Sequence, residues 1–179
     1  MISEQKQRLR VEIRKLLGEI SPEARKAASV QIQKELFALP QWQAGGVIAL
    51  FHPLPSEPDC LPPDFSAATF CFPHALENDL RFHSVDSVEF LVEGKWGIQT
   101  PDAERHPILD PEEISLVVVP GLAFDRDGGR MGRGKGFYDR ALAGVLKNAF
   151  KVGVCFASQV VDHVPCEAHD VKVDRVISA

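Results

Sequence analysis

No apolar run in this chain approaches the roughly 20 residues that a membrane-spanning helix needs. The first residues, MISEQKQRLRVEIRKLL, offer no hydrophobic segment ahead of a small-residue cleavage site, so no secretory signal is expected. Cysteine is scarce. Cys60, Cys71, Cys155 and Cys166 are the only four, and none belongs to a C-x-x-C pair. A chain of 179 residues needs no disulfide staples, so reduced thiols and a cytoplasmic setting are expected. Positive charge is also in deficit: 20 Lys and Arg stand against 25 Asp and Glu, for a net charge of −5 and a pI of about 5.7. Such a balance argues against a surface that grips nucleic acid or an anionic membrane. No G-x-S-x-G element supports a serine hydrolase. His163, Cys166 and His169 are spaced like zinc ligands, but a fourth ligand is missing and Pro165 makes the segment irregular.

What is present is a core-forming composition. Hydrophobic residues make up 45% and charged residues 25%, which excludes disorder as the main state and suits one domain spanning residues 1–179. A monomer is expected. Charge is gathered in two islands. Residues 1–15 hold Lys6, Arg8, Arg10, Arg14 and Lys15 against Glu4 and Glu12, a net +3. Residues 126–140 hold Arg126, Arg130, Arg133, Lys135 and Arg140 against Asp127 and Asp139, again +3, which leaves −11 for the remainder. Two basic islands on an acidic chain point to a local anionic ligand.

Leu9, Ile13, Leu16 and Leu17 form an apolar stripe at helical spacing, which predicts a helix over residues 3–18. Lys6, Arg10 and Arg14 lie along one face and border that stripe. Ser21-Pro22-Glu23 is a helix start, and the helix it opens is predicted to run to about Leu39. Short apolar runs at 47–51, 69–72, 80–83, 116–119, 152–156 and 176–177 read as strands. The five prolines within 52–63 make that stretch a loop. A helix is predicted from about Gly136 to Lys147. Helices alternating with short apolar strands favour an α/β fold: a largely parallel central sheet with helices on both faces, three-layered and Rossmann-like.

The most informative stretch is PGLAFDRDGGRMGRGKGFYDR, residues 120–140. It leaves the C-terminal end of a predicted strand, where α/β folds bind ligands. Gly128, Gly129, Gly132, Gly134 and Gly136 let backbone N–H groups approach a ligand closely, and Arg130, Arg133 and Lys135 supply formal charge. The combination describes a phosphate cradle. The dinucleotide pattern G-x-G-x-x-G fails, because its third glycine would fall at Phe137. The P-loop pattern nearly fits from Gly129 to Lys135, but Gly136 stands where the Mg²⁺-binding hydroxyl belongs.

These segments resemble the 5-formyltetrahydrofolate cyclo-ligase family, also called methenyltetrahydrofolate synthetase. Lys6-Gln7-Arg8-Leu9-Arg10 is similar to its N-terminal K-x-x-L-R element. Glu57 in PLPSEPD is similar to the acid after its first strand. Residues 119–140 are close to its most specific motif, and His169-Asp170 with Val173-Asp174 resembles its C-terminal H-D…V-D element.

The resemblance implies ring closure of 5-formyltetrahydrofolate to 5,10-methenyltetrahydrofolate, with ATP as co-substrate, Mg²⁺ as cofactor, and ADP and phosphate released. It implies that Lys6 and Arg10 hold ATP phosphates. The stretch Arg130, Gly132, Arg133, Gly134, Lys135, Gly136, Phe137 and Tyr138 would wrap the triphosphate and the formyl end of folate, with Lys135 and Arg133 catalytic. His52, Glu57 and Trp96, with Phe51, would face the folate ring, and Asp139 and Asp170 would bind the metal. Two positions depart from the family's pattern: Gln99-Thr100 replaces an acid after Gly97-Ile98, and Phe137 stands where tyrosine is common. Three other classes compete: another ATP-dependent ligase or kinase with the same cradle, a non-catalytic formylfolate binder, and an RNA-binding module. Intact Lys135, Asp139 and Asp170 oppose the second. The acidic remainder, and the lack of interleaved aromatics beyond Phe137 and Tyr138, oppose the third.

Overall fold

The computed structural model describes residues 2–167 and 170–179. His169, named above both for zinc and for the C-terminal element, lies outside them. Among the described residues no group of three or more His, Cys, Asp or Glu side chains is placed to hold a metal ion. Among the same residues no helix is long and apolar enough to cross a membrane.

The N-terminal stripe forms helix α1 (Ile2–Glu19), with Ile13 and Leu17 buried. Helix α2 (Pro22–Phe37) starts where Ser21 caps it: the Ser21 Oγ accepts from the Ala24 N–H at 3.2 Å, and Pro22 occupies the first turn. The predicted extension to Leu39 does not hold. Leu39 precedes a proline and is extended, and Pro40 opens a separate short helix α3 (Pro40–Gln43) that buries Trp42.

The strands are β1 (Val47–Ala49), β2 (Thr69–Ala75), β3 (Leu80–Ser84), β4 (Val92–Glu93), β5 (Gln99–Thr100), β6 (Ile114–Val119), β7 (Ala123–Asp125), β8 (Arg130–Met131), β9 (Phe150–Cys155), β10 (Val160–Val161) and β11 (Arg175–Ser178). Six of them form the central sheet in the order β11-β9-β6-β1-β2-β3, parallel throughout except for β3, which returns antiparallel on β2. Counted among these six alone, the layout is 3-2-1-4-5-6, the doubly wound arrangement.

Ile32, Leu36 and Trp42 pack on one face of the sheet, against Ile48, Leu50, Phe70, Phe72, Leu116 and Val118. Helix α4 (Phe137–Ala143) covers the other face, where Ala141, Leu142 and nearby Leu146 meet Ala49, Cys71, Val117 and Val119. Successive strand residues alternate between the two layers, as a doubly covered sheet requires.

Two features depart from the sequence reading. The predicted helix from Gly136 to Lys147 is only the seven residues of α4, ended by Gly144. The glycine-rich stretch is not one open loop. Its first half is the hairpin β7–β8, joined by β10 into a small second sheet. Asp125 builds the turn. Its Oδ1 accepts from the N–H groups of Asp127 (3.0 Å) and Gly129 (2.7 Å), and its Oδ2 accepts from Val164 N–H at 2.9 Å. Gly128 has φ +83°, and its carbonyl accepts from Val173 N–H at 2.9 Å. Helix α1 packs on this second sheet, burying Ile13 and Leu17 with Leu122, Met131, Phe156 and Val164.

Candidate functional site

The strand order reverses between β1 and β6, and chain leaving the C-terminal ends of those two strands must diverge there. A cleft of about 490 Å³ opens at that point. Phe51, His52, Leu54 and Glu57, following β1, form one wall. Pro120 and Gly121, following β6, sit at its base, and residues Arg130 to Asp139 form the opposite wall. His74, Ala75 and Leu80, from the β2–β3 hairpin, and Trp96, Ile98 and Thr100, from the β4–β5 hairpin, close the remaining sides.

The proline-rich wall is held from below. Asp59 N–H donates to Ser29 Oγ at 3.0 Å, and Gln33 Nε2 donates to the Leu61 carbonyl at 3.2 Å. These bonds tie the loop to α2 and leave Glu57 at the cleft. The Glu57 side chain is only 7% exposed. Its Oε2 accepts from Leu54 N–H at 2.9 Å; its Oε1 accepts from Arg133 Nε at 3.1 Å and Nη2 at 2.8 Å. Ser56 Oγ accepts a further bond from Arg133 Nη2 at 3.1 Å. No cleft residue is a thiolate. Burial pushes the Cys71 and Cys155 thiols up to about 12, and holds Cys60 well above its ordinary value too.

The basic wall separates into parts that the sequence could not distinguish. Gly128 and Gly129 belong to the hairpin turn and do not line the cleft, which corrects their inclusion in the phosphate cradle. Arg130, assigned above to phosphate, is 5% exposed and acts as a strut. Its Nη1 donates to the Pro120 carbonyl at 3.0 Å, its Nη2 pairs with Asp139 Oδ1, and its guanidinium lies 5.9 Å from the Tyr138 ring centre. Burial, with the Glu57 carboxylate, holds the Tyr138 phenol above its ordinary value, so it stays neutral.

Gly132, Arg133, Lys135, Gly136 and Phe137 line the cleft. Gly134, at φ +102°, lies against the Arg10 guanidinium, whose Nε donates to the Gly132 carbonyl at 3.2 Å. Gly136, at φ +71°, starts α4. Because α4 is so short, formal charge rather than a helix dipole makes this wall positive.

Trp96 is 58% exposed at the hairpin tip with φ +62°, a left-handed conformation that costs a non-glycine residue on the order of 1–3 kcal/mol. The strain sets the indole over the cleft, 5.5 Å from Lys135 Nζ and 6.1 Å from the Phe137 ring. The departure at Gln99-Thr100 falls on β5, where Thr100 Oγ1 donates to the Pro73 carbonyl at 3.1 Å and docks this hairpin on β2.

Lys6 and Asp170 do not line the cleft. Lys6 Nζ instead donates to Asp170 Oδ2 at 2.6 Å and Glu167 Oε2 at 2.9 Å, tying α1 to the C-terminal segment. Burial works against this ammonium, yet the two carboxylates together outweigh it and raise its pKa above 10.5. A raised folded-state pKa gives stability that is present below the unfolded value and lost as pH climbs through the folded one. The stability gap between wild type and Lys6→Met, from urea unfolding, is therefore expected to be constant near neutrality and to narrow above pH 10.5. A gap independent of pH would remove the ion pair as its source.

Of the residues singled out in the sequence, the fold thus brings His52, Glu57, Trp96, Arg130, Gly132, Arg133, Lys135, Gly136, Phe137, Tyr138 and Asp139 together. Arg10 and Gly134 support them from behind. Leu54, His74, Leu80 and Ile98 were not anticipated. They stand at strand ends and in a hairpin, and their only signal is position relative to the switch point.

Comparison with known proteins agrees with this geometry. A profile of the 5-formyltetrahydrofolate cyclo-ligase family matches residues 2–179. The 5-formyltetrahydrofolate cyclo-ligase of Mus musculus is 27% identical over 191 residues, covering 98% of this chain and 94% of that protein. The structure of Aquifex aeolicus 5,10-methenyltetrahydrofolate synthetase superposes with a TM-score of 0.84 at 31% identity, over 97% of this chain and 89% of that one. A Mycoplasma pneumoniae 5,10-methenyltetrahydrofolate synthetase, 22% identical, shares the fold with a TM-score of 0.74 over 96% of this chain and 97% of its own. The chain belongs to the 5-formyltetrahydrofolate cyclo-ligase family.

Proposed function

We propose that this protein closes the imidazoline ring of 5-formyltetrahydrofolate to give 5,10-methenyltetrahydrofolate, at the expense of ATP. One observation carries the reading: a single cleft at the switch point sets a buried acid and flat apolar side chains opposite a glycine-rich wall bearing Arg133 and Lys135. The first side suits a pterin, whose ring N–H groups need an acceptor and whose faces need apolar walls. Glu57 accepts from those N–H groups, and Phe51, His52 and Trp96 flank the ring. The second side suits a polyphosphate.

The formyl oxygen is a poor leaving group. It attacks the γ-phosphorus of ATP, and ADP departs. Folate N10 then attacks the activated formyl carbon and gives up its proton to water, and the carbon–oxygen bond breaks to release phosphate. The protein's part is positioning and charge neutralisation. Lys135 and Arg133 meet the transferring phosphoryl group, the Gly132–Gly136 backbone lets the phosphates approach closely, and Arg10 braces that backbone through the Gly132 carbonyl.

Magnesium, bound to the triphosphate, would neutralise its charge. It takes hard oxygen ligands and keeps phosphates and water among them, so a single protein carboxylate beside the phosphate wall suffices. Asp139 fits, since it lines the cleft and Arg130 fixes its carboxylate. Asp170, held by Lys6, does not line the cleft and would act on the ion through water.

The test is the appearance of the methenyl product's absorbance with 5-formyltetrahydrofolate, ATP and Mg²⁺, each omitted in turn. Product is expected only in the complete mixture, and product without ATP would defeat the proposal. For the metal, Asp139→Asn is expected to raise the Mg²⁺ needed for half-maximal activity with little change in folate KM; an unchanged Mg²⁺ curve removes Asp139 from the ion. ATP binding measured by calorimetry at increasing Mg²⁺ gives the same comparison without turnover.

A further inference from the structure

The Arg133–Glu57 pair joins the two sides of the cleft. Arg133 reaches from the phosphate wall and places two nitrogens on Glu57 Oε1, with a third bond to Ser56 Oγ. The other Glu57 oxygen is taken by Leu54 N–H. Three acceptor sites of the carboxylate are therefore taken by protein donors, two of them on Oε1 by Arg133, at a side chain only 7% exposed. Charge-assisted bonds to a nearly buried carboxylate are stronger than those between neutral groups. Arg133 itself is more exposed, at 37%, and stands between Gly132 and Gly134, the latter at φ +102°. Glycines on both sides let this residue swing at small conformational cost.

From this geometry we infer that Arg133 is a two-position arm that competes with the folate ring for Glu57. The inference rests on the reading of Glu57 as the acid that receives the pterin. A ring that donates two N–H groups to Glu57, one to each oxygen, must take the oxygen that Arg133 holds. The displaced guanidinium then has two anions near it in the cleft, Asp139, which Arg130 already holds, and the triphosphate on its own wall. Formylfolate binding thus frees a cation for ATP, and ATP, by holding that cation, clears Glu57 for formylfolate. The two ligands bind with positive coupling, equal in both directions because the linkage is thermodynamic. Arg133 also becomes a residue with opposite effects on the two ligands, which a merely structural role would not produce.

The experiment is calorimetric titration of the full chain with 5-formyltetrahydrofolate alone, with ATP and Mg²⁺ alone, and with each in the presence of the other. For Arg133→Ala, formylfolate alone is expected to bind at least about threefold more tightly and ATP at least about threefold more weakly, with coupling between them lost. Ser56→Ala loosens the pair without removing a charge. It should tighten formylfolate binding by a smaller factor and leave ATP affinity unreduced. Formylfolate affinity that is unchanged or lower in Arg133→Ala overturns the inference, as does coupling that survives in that variant. A wild-type chain that binds no formylfolate overturns both this inference and the proposed function; wild-type binding of both ligands without opposite shifts overturns the arm alone.

Discussion

Lys135→Ala is expected to lower turnover at saturating ATP and formylfolate by at least about 100-fold while the fold persists. The magnitude follows from what a preorganised charge does at a centre where negative charge develops, worth roughly 2.7–4 kcal/mol when one such donor is removed. Persistence of the fold follows from its surroundings. Lys135 is exposed on the cleft wall, where its ammonium lies 5.5 Å from the Trp96 ring. An exposed cation–π contact contributes only about 0.5–1 kcal/mol. Thermal unfolding should shift by a few degrees at most while the rate collapses. Wild-type turnover in a folded variant would take Lys135 out of the mechanism.

Gly128→Ala should do the reverse, unfolding the protein without touching the cleft. A Cβ built on Gly128 falls 2.2 Å from the Val173 carbonyl oxygen, which is backbone and has no rotamer to yield. The φ of +83° adds the left-handed cost of about 1–2 kcal/mol for a residue with a side chain. Relief of the clash would part Gly128 from Val173 and loosen the turn that Asp125 organises. A loss of roughly 3 kcal/mol or more is expected, which for a chain of this size lowers Tm by about 6–12 °C. Gly97→Ala is the control. It has a similar φ of +71° but open space around the new methyl, so it should pay only the conformational part. Denaturant unfolding of the three proteins decides the matter; equal losses for both variants would mean that the Val173 contact contributes nothing.

These two residues show where the sequence was legible and where it was not. Lys135 sits in a run of glycines and cations at the end of an apolar strand, and strand ends at a switch point are where α/β sheets bind ligands, so its place could be read directly. The helix stripe of α1 and all six central strands were legible because burial on one face or two leaves a periodic mark, whereas α2 was legible from its Ser21-Pro22-Glu23 start. Gly128 looks identical to Gly134 in the sequence, yet one turns a hairpin and the other lines a loop beside a cleft. Strands as short as β7, β8 and β10 carry too few residues for a period to show. Arg130 reads as a phosphate-binding cation because arginine is rarely buried, and only the packing of Asp139, Pro120 and Tyr138 around it makes it a strut. The pair Lys6–Asp170 spans 164 positions, and no local pattern reports a contact of that length.

That length has a consequence for how the protein is made. Helix α1 precedes in the chain the second-sheet residues that bury Ile13 and Leu17, which run from Leu122 to Val164, and the carboxylates that receive Lys6 come later still. Until those residues are made, its apolar stripe has only Ile20 and Ala28 of its native cluster to pack on. The helix can dock on the second sheet only after residue 164 has been made, so closure of the phosphate wall from behind, through Arg10, is a late event in folding. Nascent chains halted before residue 120 should therefore expose α1 to protease, and full-length chains should protect it.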